Sequence, residues 1–162
     1  MSGGPRSDSP LPAALLDRID SLAAKYPTMR AALLPALWLV QDERGWISRA
    51  DVAEVADRLG LAAADAEGVL SFYFLFHRAP RGTVVIDVCD NVVCRANGAE
   101  RLLADLCARL GITPGETTAD GRFTVRRQEC IAACHQAPAV QVDLQYRGPI
   151  TSVDELLGME AR

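Results

Sequence analysis

The chain has 162 residues, of which 49% are hydrophobic, and carries a formal net charge of −4. This length suits one ordinary domain, or a small domain with a helical extension, and the apolar fraction permits a sizeable core. The acidic balance argues against the clustered basic face that nucleic-acid binding requires, so no nucleic-acid partner is expected.

No targeting or membrane segment is expected from the sequence. The first ten residues lack the apolar stretch of a signal peptide, and the longest apolar run, residues 69–76, is too short to span a bilayer. Five cysteines are an odd number, which disfavours a secreted disulfide framework. These observations predict a cytoplasmic protein with no direct membrane insertion.

The N-terminal part predicts helices after a short disordered segment. Residues 1–10 are rich in Gly, Ser and Pro, and we expect them to be disordered. Apolar residues at helical spacing follow from Pro12, and Pro27 stops this first helix. Thr28 is placed to cap a second helix, which either starts or kinks at Pro35 and ends at Gly45.

Two further helices complete a predicted bundle over residues 11–78. Ser48 and Asp51 have the spacing of a capping box for a third helix that ends at Gly60, and a short fourth helix is expected over residues 65–71. The apolar stripes of four connected helices must be buried together. We expect core and interdomain packing, rather than partner docking, from the aromatic residues Trp38, Trp46, Phe72, Tyr73, Phe74 and Phe76.

Residues 79–162 predict a second domain, entered through a linker over residues 78–82. The residues at 142–146 indicate a hairpin, although Asp-Leu is poorer turn chemistry than Asp-Gly. The element order is β-α-β-β-β-α, which by itself indicates only an α/β or α+β fold. The predicted strands are residues 83–88, 123–127, 138–143 and 145–150, and the predicted helices are residues 99–110 and a last one, capped by Thr151 or Ser152, that ends at 157.

Four cysteines arrive as two pairs, each following a predicted strand. Cys89 and Cys94 are separated by four residues, and Cys130 and Cys134 by three. Residues five apart lie about 140° apart around a helix, so Cys89 and Cys94 cannot share a helix face and are expected on an irregular loop. Two strand-end loops with two thiols each can close around one small tetrathiolate site. The fifth cysteine, Cys107, falls on the stripe of a predicted helix and is expected to be a buried apolar residue instead of a ligand.

Spacing alone leaves the occupant of this site open. Structural zinc uses similar cysteine pairs, and plant-type ferredoxins use the C-x4-C spacing for iron–sulfur ligation. The wider loops favour a two-iron cluster over zinc, with a thiol or disulfide role as the remaining alternative. A Rieske centre needs a pair of histidine ligands, and His77 and His135 lack the paired spacing.

Several motifs resemble the thioredoxin-like [2Fe-2S] ferredoxin family. They are Val88-Cys89, Cys94 before Gly98-Ala99, the run from Gly115 to Gly121, and the run from Glu129 to Val140. Within that family the chain is similar to the ferredoxin-like E-type subunits of respiratory NADH:quinone oxidoreductases, over roughly residues 15 to 157, with upstream matches at 34–41, 45–47 and 71–76. The family often has Gly where Ala132 stands, and the methyl group is expected to be tolerated if the backbone avoids positive φ.

The resemblance implies both fold and function. The fold would be α+β, with a small N-terminal helical bundle followed by a thioredoxin-like [2Fe-2S] domain, and Cys89, Cys94, Cys130 and Cys134 would ligate the cluster. The chain would be a one-electron carrier subunit, not catalytic alone, beside a flavoprotein subunit that binds FMN and NADH and a large iron–sulfur subunit. The complex would place it at the inner face of the cell membrane. Alternatives are the equivalent subunit of a formate dehydrogenase or bidirectional hydrogenase, and, from another class, a zinc-stapled interaction module.

A tetrathiolate [2Fe-2S] cluster is anionic and requires compensation. Two ferric ions, two sulfides and four thiolates sum to a charge of about −2. Arg95, Arg126, Arg127 and His135 lie close in sequence to the cysteines and are candidates to act on the cluster's potential. For the two adjacent arginines a solvated strand face is an equally good interpretation, because strand alternation points only one of them to each side.

Overall fold

The computed structural model describes residues 9–150 and 152–158. Its backbone contacts divide the chain into two compact units, residues 1–80 and 81–162. Most of the segment expected to be disordered, residues 1–10, lies outside the described residues. Ser9 and Pro10 are described, and their carbonyl oxygens accept hydrogen bonds from the Arg44 guanidinium at 2.7 and 2.8 Å.

The first unit consists of helices whose boundaries follow local capping chemistry. The Thr28 side chain accepts a hydrogen bond from the Ala31 N–H, and Gly45 ends the same helix with a φ of 81°, as predicted. Ser48 and Asp51 form the predicted capping box. Pro35 lies inside the second helix, which starts six residues earlier, so the regular helix does not begin at this proline. The helices are α1 (Ala13–Ala23), α2 (Met29–Arg44), α3 (Arg49–Arg58) and α4 (Ala63–Phe72).

One apolar core joins the four helices. It is made by the stripes predicted from helical periodicity, among them Leu15 and Ile19 of α1, Leu37 of α2 and Val55 of α3, each no more than 2% exposed. Arg44, which is half-buried, donates to the buried Asp51 side chain at 2.5 Å, which links the end of α2 to the start of α3. The unit is therefore a packed bundle, as expected.

The aromatic residues of this unit do not behave alike. Phe76 is buried and lies 5.3 Å from Trp38 between ring centroids, which confirms the packing interpretation for this pair. Phe72 is 78% exposed and Phe74 is 49% exposed, so core packing is the wrong interpretation for these two, and their packing between the two units stays a prediction.

The second unit is built on a four-stranded mixed sheet. The strands are β1 (Val84–Cys89), β2 (Phe123–Gln128), β3 (Val140–Val142) and β4 (Gln145–Arg147), and the helices are α5 (Val92–Ala96), α6 (Ala99–Leu110) and α7 (Val153–Leu157). The strand order is β2-β1-β3-β4, with β1 parallel to β2 and antiparallel to β3, and β3 antiparallel to β4. All six residues of β1, which has a neighbouring strand on each side, are buried.

The core of this unit lies between one sheet face and α6. Alternate residues of β1, Val84, Ile86 and Val88, meet the α6 stripe that includes Leu103 and Leu106. Alternation along a strand puts Asp87 on the opposite face, away from this core. The helix over residues 99–110 has the predicted bounds, and Ser152 caps α7 by accepting from the Asp154 N–H.

Local departures from the sequence predictions occur at the turns. The strands expected over 138–143 and 145–150 are only three residues each, and α5 was not predicted. The hairpin turn at Asp143 and Leu144 has φ values of 49° and 65°, the left-handed pair of a type I′ turn. Among the described residues, no helix has both the length and the apolar character to cross a bilayer.

Candidate metal centre

The parallel pairing of β1 with β2 brings the two cysteine segments to the same edge of the sheet. Cys89 is the last residue of β1 and pairs in register with Gln128, the last residue of β2. Cys130 follows Gln128 by two residues. Because parallel neighbours end at one edge, both cysteine segments begin there.

The first pair is buried, although the turn that carries Cys94 is itself on the surface. Cys89 and Cys94 are 2% and 1% exposed. Asn91 caps α5 by accepting from the Val92 N–H, so Cys94 lies in a short helix, and the expected irregular loop was wrong for this residue. The capped turn brings the two thiols within interaction distance. Burial raises the pKa of the Cys94 thiol, and the Cys89 and Cys134 sulfurs add to the rise.

The backbone of the segment that leads into β3 supports this pair. The Cys89 N–H donates to the Ala139 carbonyl oxygen at 3.1 Å. The Ala139 N–H donates to the Cys94 sulfur and acts against the rise in its pKa. A thiolate at Cys94 therefore has a backbone donor in place, which is a common device at iron–sulfur ligands.

The second pair lies on the surface. Cys130 and Cys134 are exposed, and Cys134 begins a one-turn 3-10 helix that ends at Gln136. The Ala132 N–H donates to the Cys130 sulfur at 3.4 Å. Ala132 has a φ of 59°, so the condition under which its methyl group was expected to be tolerated without strain is not met.

The donor arrangement suits a two-iron cluster better than one metal ion. No three Cys, His, Asp or Glu side chains in the described part of the chain converge on a point that would hold a single ion, as zinc requires. A two-iron cluster instead takes two thiolates on each iron, and the residues present are two cysteine pairs from two segments. Cys107 lies on α6 in the apolar core, where burial raises the pKa of its thiol.

The arginines expected near the cysteines are held by carboxylates. Arg126 donates to Asp87 through two nitrogens, at 2.6 and 2.8 Å, and the Asp87 side chain is 1% exposed. Arg127 donates to Asp90 at 2.5 Å. A solvated strand face is therefore the wrong interpretation for Arg126, whose side chain is 18% exposed. Arg127 points to the opposite side and is 44% exposed, so it lies on a solvated face while it pairs with Asp90.

Sequence reasoning missed the two aspartates. Asp87 interrupts an otherwise apolar strand, and a charged residue in such a run is the signal that could have identified it, because a buried charge requires a partner. Asp90 had no such signal, since it follows the strand in an ordinary turn context. Arg95 also reaches Asp90, at 3.4 Å, and Glu100, at 3.3 Å.

The chain has two thiol pairs that start at one edge of a mixed sheet, and backbone N–H groups donate to sulfurs of both pairs. This arrangement is that of an iron–sulfur protein. The model of the thioredoxin-like [2Fe-2S] ferredoxin family matches residues 19–157. The chain belongs to this family, and its cofactor is a [2Fe-2S] cluster.

Within this family, the chain is similar to curated subunits of NADH-quinone oxidoreductases. The chain is 41% identical over 143 residues to the E 2 subunit of the NADH-quinone oxidoreductase of Rhizobium meliloti, covering 87% of this chain and 85% of the relative. It is 40% identical over 149 residues to the E subunit of the NADH-quinone oxidoreductase of Escherichia coli K12, covering 91% and 90%. The predicted resemblance to these oxidoreductase subunits is thus confirmed over most of both chains.

A solved structure carries the same fold in a different enzyme. The chain superposes on a chain of an NAD+-reducing [NiFe]-hydrogenase, in its H2-reduced state, with a TM-score of 0.65 and 29% identity. The match covers 77% of this chain and 21% of the hydrogenase chain. This protein therefore spans about a fifth of that chain's length.

Proposed function

We propose that this chain is the one-electron carrier subunit of an NADH:quinone oxidoreductase, and that Cys89, Cys94, Cys130 and Cys134 hold its cluster. The observation that carries the ligand assignment is the β1–β2 pairing, which starts both cysteine segments at one sheet edge. The names of the NADH-quinone oxidoreductase relatives support the assembly. When bound, the cluster supplies the capacity to take up and release one electron at a time.

The chain's own residues bind the cluster and arrange its surroundings. The two cysteine pairs provide four thiolates, and the Ala132 and Ala139 N–H groups donate to sulfurs of one pair each. The buried first pair keeps water from one side of the site, whereas the exposed second pair leaves the other side accessible to a partner.

The partners follow from the two-electron nature of hydride transfer. NADH delivers two electrons together, so a flavin must separate them before a one-electron carrier can accept either. We assign FMN and NADH to a partner flavoprotein subunit, and we assign a further contact to the large iron–sulfur subunit of the complex. This assembly would place the chain at the inner, cytoplasmic face of the cell membrane.

The ligand assignment is tested by four single Cys→Ser variants with Cys107→Ser as the matched control. Each ligand change is expected to bleach or shift the visible absorption and the electron paramagnetic resonance spectrum, whereas Cys107→Ser should leave both unchanged. Iron content measured on the same samples separates loss of the cluster from altered ligation. An unchanged spectrum in Cys130→Ser would refute the assignment.

Electron exchange is tested under anaerobic conditions with the pure holoprotein. NADH alone should leave the absorption unchanged, and NADH with the flavoprotein subunit should bleach it. Bleaching by NADH in a flavin-free preparation would make the chain an enzyme by itself and contradict the carrier role.

The hydrogenase match supports a second candidate, in which the chain is the equivalent subunit of an NAD-reducing hydrogenase. The two candidates predict different companions. Affinity purification from the native source should recover quinone-reductase subunits in the first case and a hydrogenase large subunit in the second.

A further inference from the structure

Asp90 joins two segments that each carry proposed cluster ligands. It is the first residue after β1 and follows Cys89 directly, and its side chain is 16% exposed. One carboxylate oxygen, Oδ2, accepts from Arg127 Nη1 at 2.5 Å. The other, Oδ1, lies 3.4 Å from Arg95 Nε.

The two arginines come from different sides of the site. Arg95 follows Cys94 in α5, and Arg127 lies in β2, three residues before Cys130. The Asp90 N–H also donates to the Gln128 carbonyl oxygen at 2.7 Å, so its backbone is tied to the same strand end. One residue therefore contacts both the turn that carries the first pair and the strand that leads to the second.

The carboxylate depends on both arginines. Asp90 Oδ1 is buried and accepts no hydrogen bond from any described residue, and the Arg95 guanidinium nitrogen Nε lies 3.4 Å from it. A carboxylate removed from water is costly unless it is paired. Moving either arginine away would leave this charge undercompensated, which opposes separation of α5 from β2.

We propose that Asp90 is a positioning residue of the cluster site, using Arg95 and Arg127 to hold the Cys94 turn against the end of β2. This role rests on the ligand set proposed above. The Asp90 side chain makes no described contact with a proposed ligand sulfur, so Asp90 acts through the two arginines. Residues in this outer position around a metal commonly alter its affinity about 10- to 100-fold when changed.

The charges of Asp90 and Arg127 should shift the midpoint potential of the cluster in opposite directions, which loss of packing alone would not do. A negative charge near the cluster disfavours the added electron, and a positive charge favours it. Asp90→Asn should therefore raise the midpoint potential, whereas Arg127→Gln should lower it. Loosening of the site without a charge effect would move both variants in the same direction.

The experiment uses the full-length holoprotein and compares Asp90→Asn, Arg127→Gln and the double variant. We expect each single change to speed iron release to a chelator about tenfold. The double variant should release iron no faster than the faster single variant, because both changes break the same Asp90–Arg127 pair. Midpoint potentials are measured in parallel. Arg101→Gln, which breaks an exposed pair with Asp105 on α6, is the control and should change neither quantity.

Three results would overturn the positioning role: wild-type iron release in Asp90→Asn, multiplicative effects in the double variant, or potentials that shift in one direction. If Asp90→Asn does not fold, Asp90→Glu replaces it. Asp90→Glu should release iron more slowly than Arg127→Gln because the charge pair is retained, and equal rates would contradict the role. Failure of the ligand set would appear separately, as an unchanged spectrum in the Cys→Ser series.

Discussion

The backbone conformation of Ala132 supports a contact to the sulfur of Cys130, a proposed ligand. Its φ of 59° places it in the left-handed region, where an L-residue with a Cβ is disfavoured by roughly 1–2 kcal/mol. The same conformation directs the Ala132 N–H to the Cys130 sulfur at 3.4 Å. The strain is therefore associated with a contact at the site, as is common for residues held in sparsely populated conformations.

Replacing Ala132 by Gly should relieve this strain. We expect Ala132→Gly to increase the free energy of unfolding by about 0.5–1 kcal/mol, because glycine adopts positive φ without a Cβ penalty but loses more entropy on folding. Urea denaturation of the apoprotein measures the change. The neighbouring Ala133 is the control, since it has a φ of −117° and is buried, and Ala133→Gly should be destabilising. A loss of stability in Ala132→Gly would contradict the argument.

Asp87, two residues before Cys89, forms a largely buried ion pair with Arg126 of β2. Both oxygens of Asp87 accept from Arg126, and the Asp87 side chain is 1% exposed. Buried pairs of this kind contribute little relative to apolar residues, but removing one partner leaves a desolvated charge at a high cost.

We therefore expect Asp87→Asn to lower the free energy of unfolding by about 3 kcal/mol. Denaturant unfolding of the apoprotein measures the change, and the double variant Asp87→Asn with Arg126→Gln should recover part of the loss, because the two effects are coupled. Asp105→Asn is the matched control: it removes an exposed carboxylate from a surface pair and should change stability by less than about 0.5 kcal/mol. Equal losses of stability in Asp87→Asn and Asp105→Asn would refute the view that Asp87 compensates a buried charge on Arg126.

At the scale of elements, the loop before β2 is organised by Glu116. Its carboxylate accepts from the Thr113 N–H at 2.7 Å, and its backbone pairs with Val125 of β2 through a hydrogen bond from the Val125 N–H at 3.3 Å. The hydrogen bond from the Thr113 backbone lowers the pKa of Glu116 from its ordinary value of 4.5. The charged form is thus favoured in the folded state.

This lowered pKa predicts an acid-dependent contribution to stability. A carboxyl group whose folded pKa is depressed stabilises the fold above its unfolded pKa, and the contribution is lost as the pH falls below about 4.5 through the folded value. Glu116→Gln should therefore be less stable than the wild type near pH 7, and the difference should shrink as the pH falls below that window. Urea midpoints measured across this range provide the test. A difference that does not depend on pH would contradict it.

The elements that sequence predicted well are those whose periodicity and capping agree. The helix over residues 99–110 and the Ser48–Asp51 capping box are examples, because a single face or a single cap decides each. The turn carrying Cys94 was missed because a helix of five residues has too little periodicity to be recognised, and its Asn91 cap resembles any polar turn. The hairpin turn at Asp143 and Leu144 adopts a geometry that its residues do not favour, since pairing of β3 with β4 determines it.

The family and its cofactor were predictable from the spacing and motifs, and the four cysteines as ligands stay a prediction. The geometry around the cysteines was not predictable. The charge network was not predictable either, because which carboxylate holds each arginine depends on strand register: Asp87 lies opposite Arg126 only when β1 and β2 are parallel and aligned as observed. Sequence distance between the cysteines and arginines could not supply that register.

At the scale of the whole molecule, each unit has an apolar core of its own. The core of the second unit consists of buried residues between Val84 and Leu156, and the four proposed ligands all lie in this range. The core of the first unit consists of residues between Leu11 and Phe76. Because the two cores share no residues, the second unit has the contacts that a domain needs to fold alone.

A truncated chain of residues 81–162 should therefore unfold cooperatively and keep the visible spectrum of the full-length holoprotein, because its core and all four thiols are retained. Thermal melting followed by circular dichroism, together with absorption after cluster reconstitution, measures both properties. The same truncation carrying Cys130→Ser is the control and should not give that spectrum. We propose that the helical bundle contributes to docking of the flavoprotein subunit, and we therefore expect the truncated chain to bind that subunit less well in a pull-down. Non-cooperative melting would show that the second unit needs the helical bundle to fold. Undiminished recovery of the flavoprotein subunit in the pull-down would place the partner interface on the second unit.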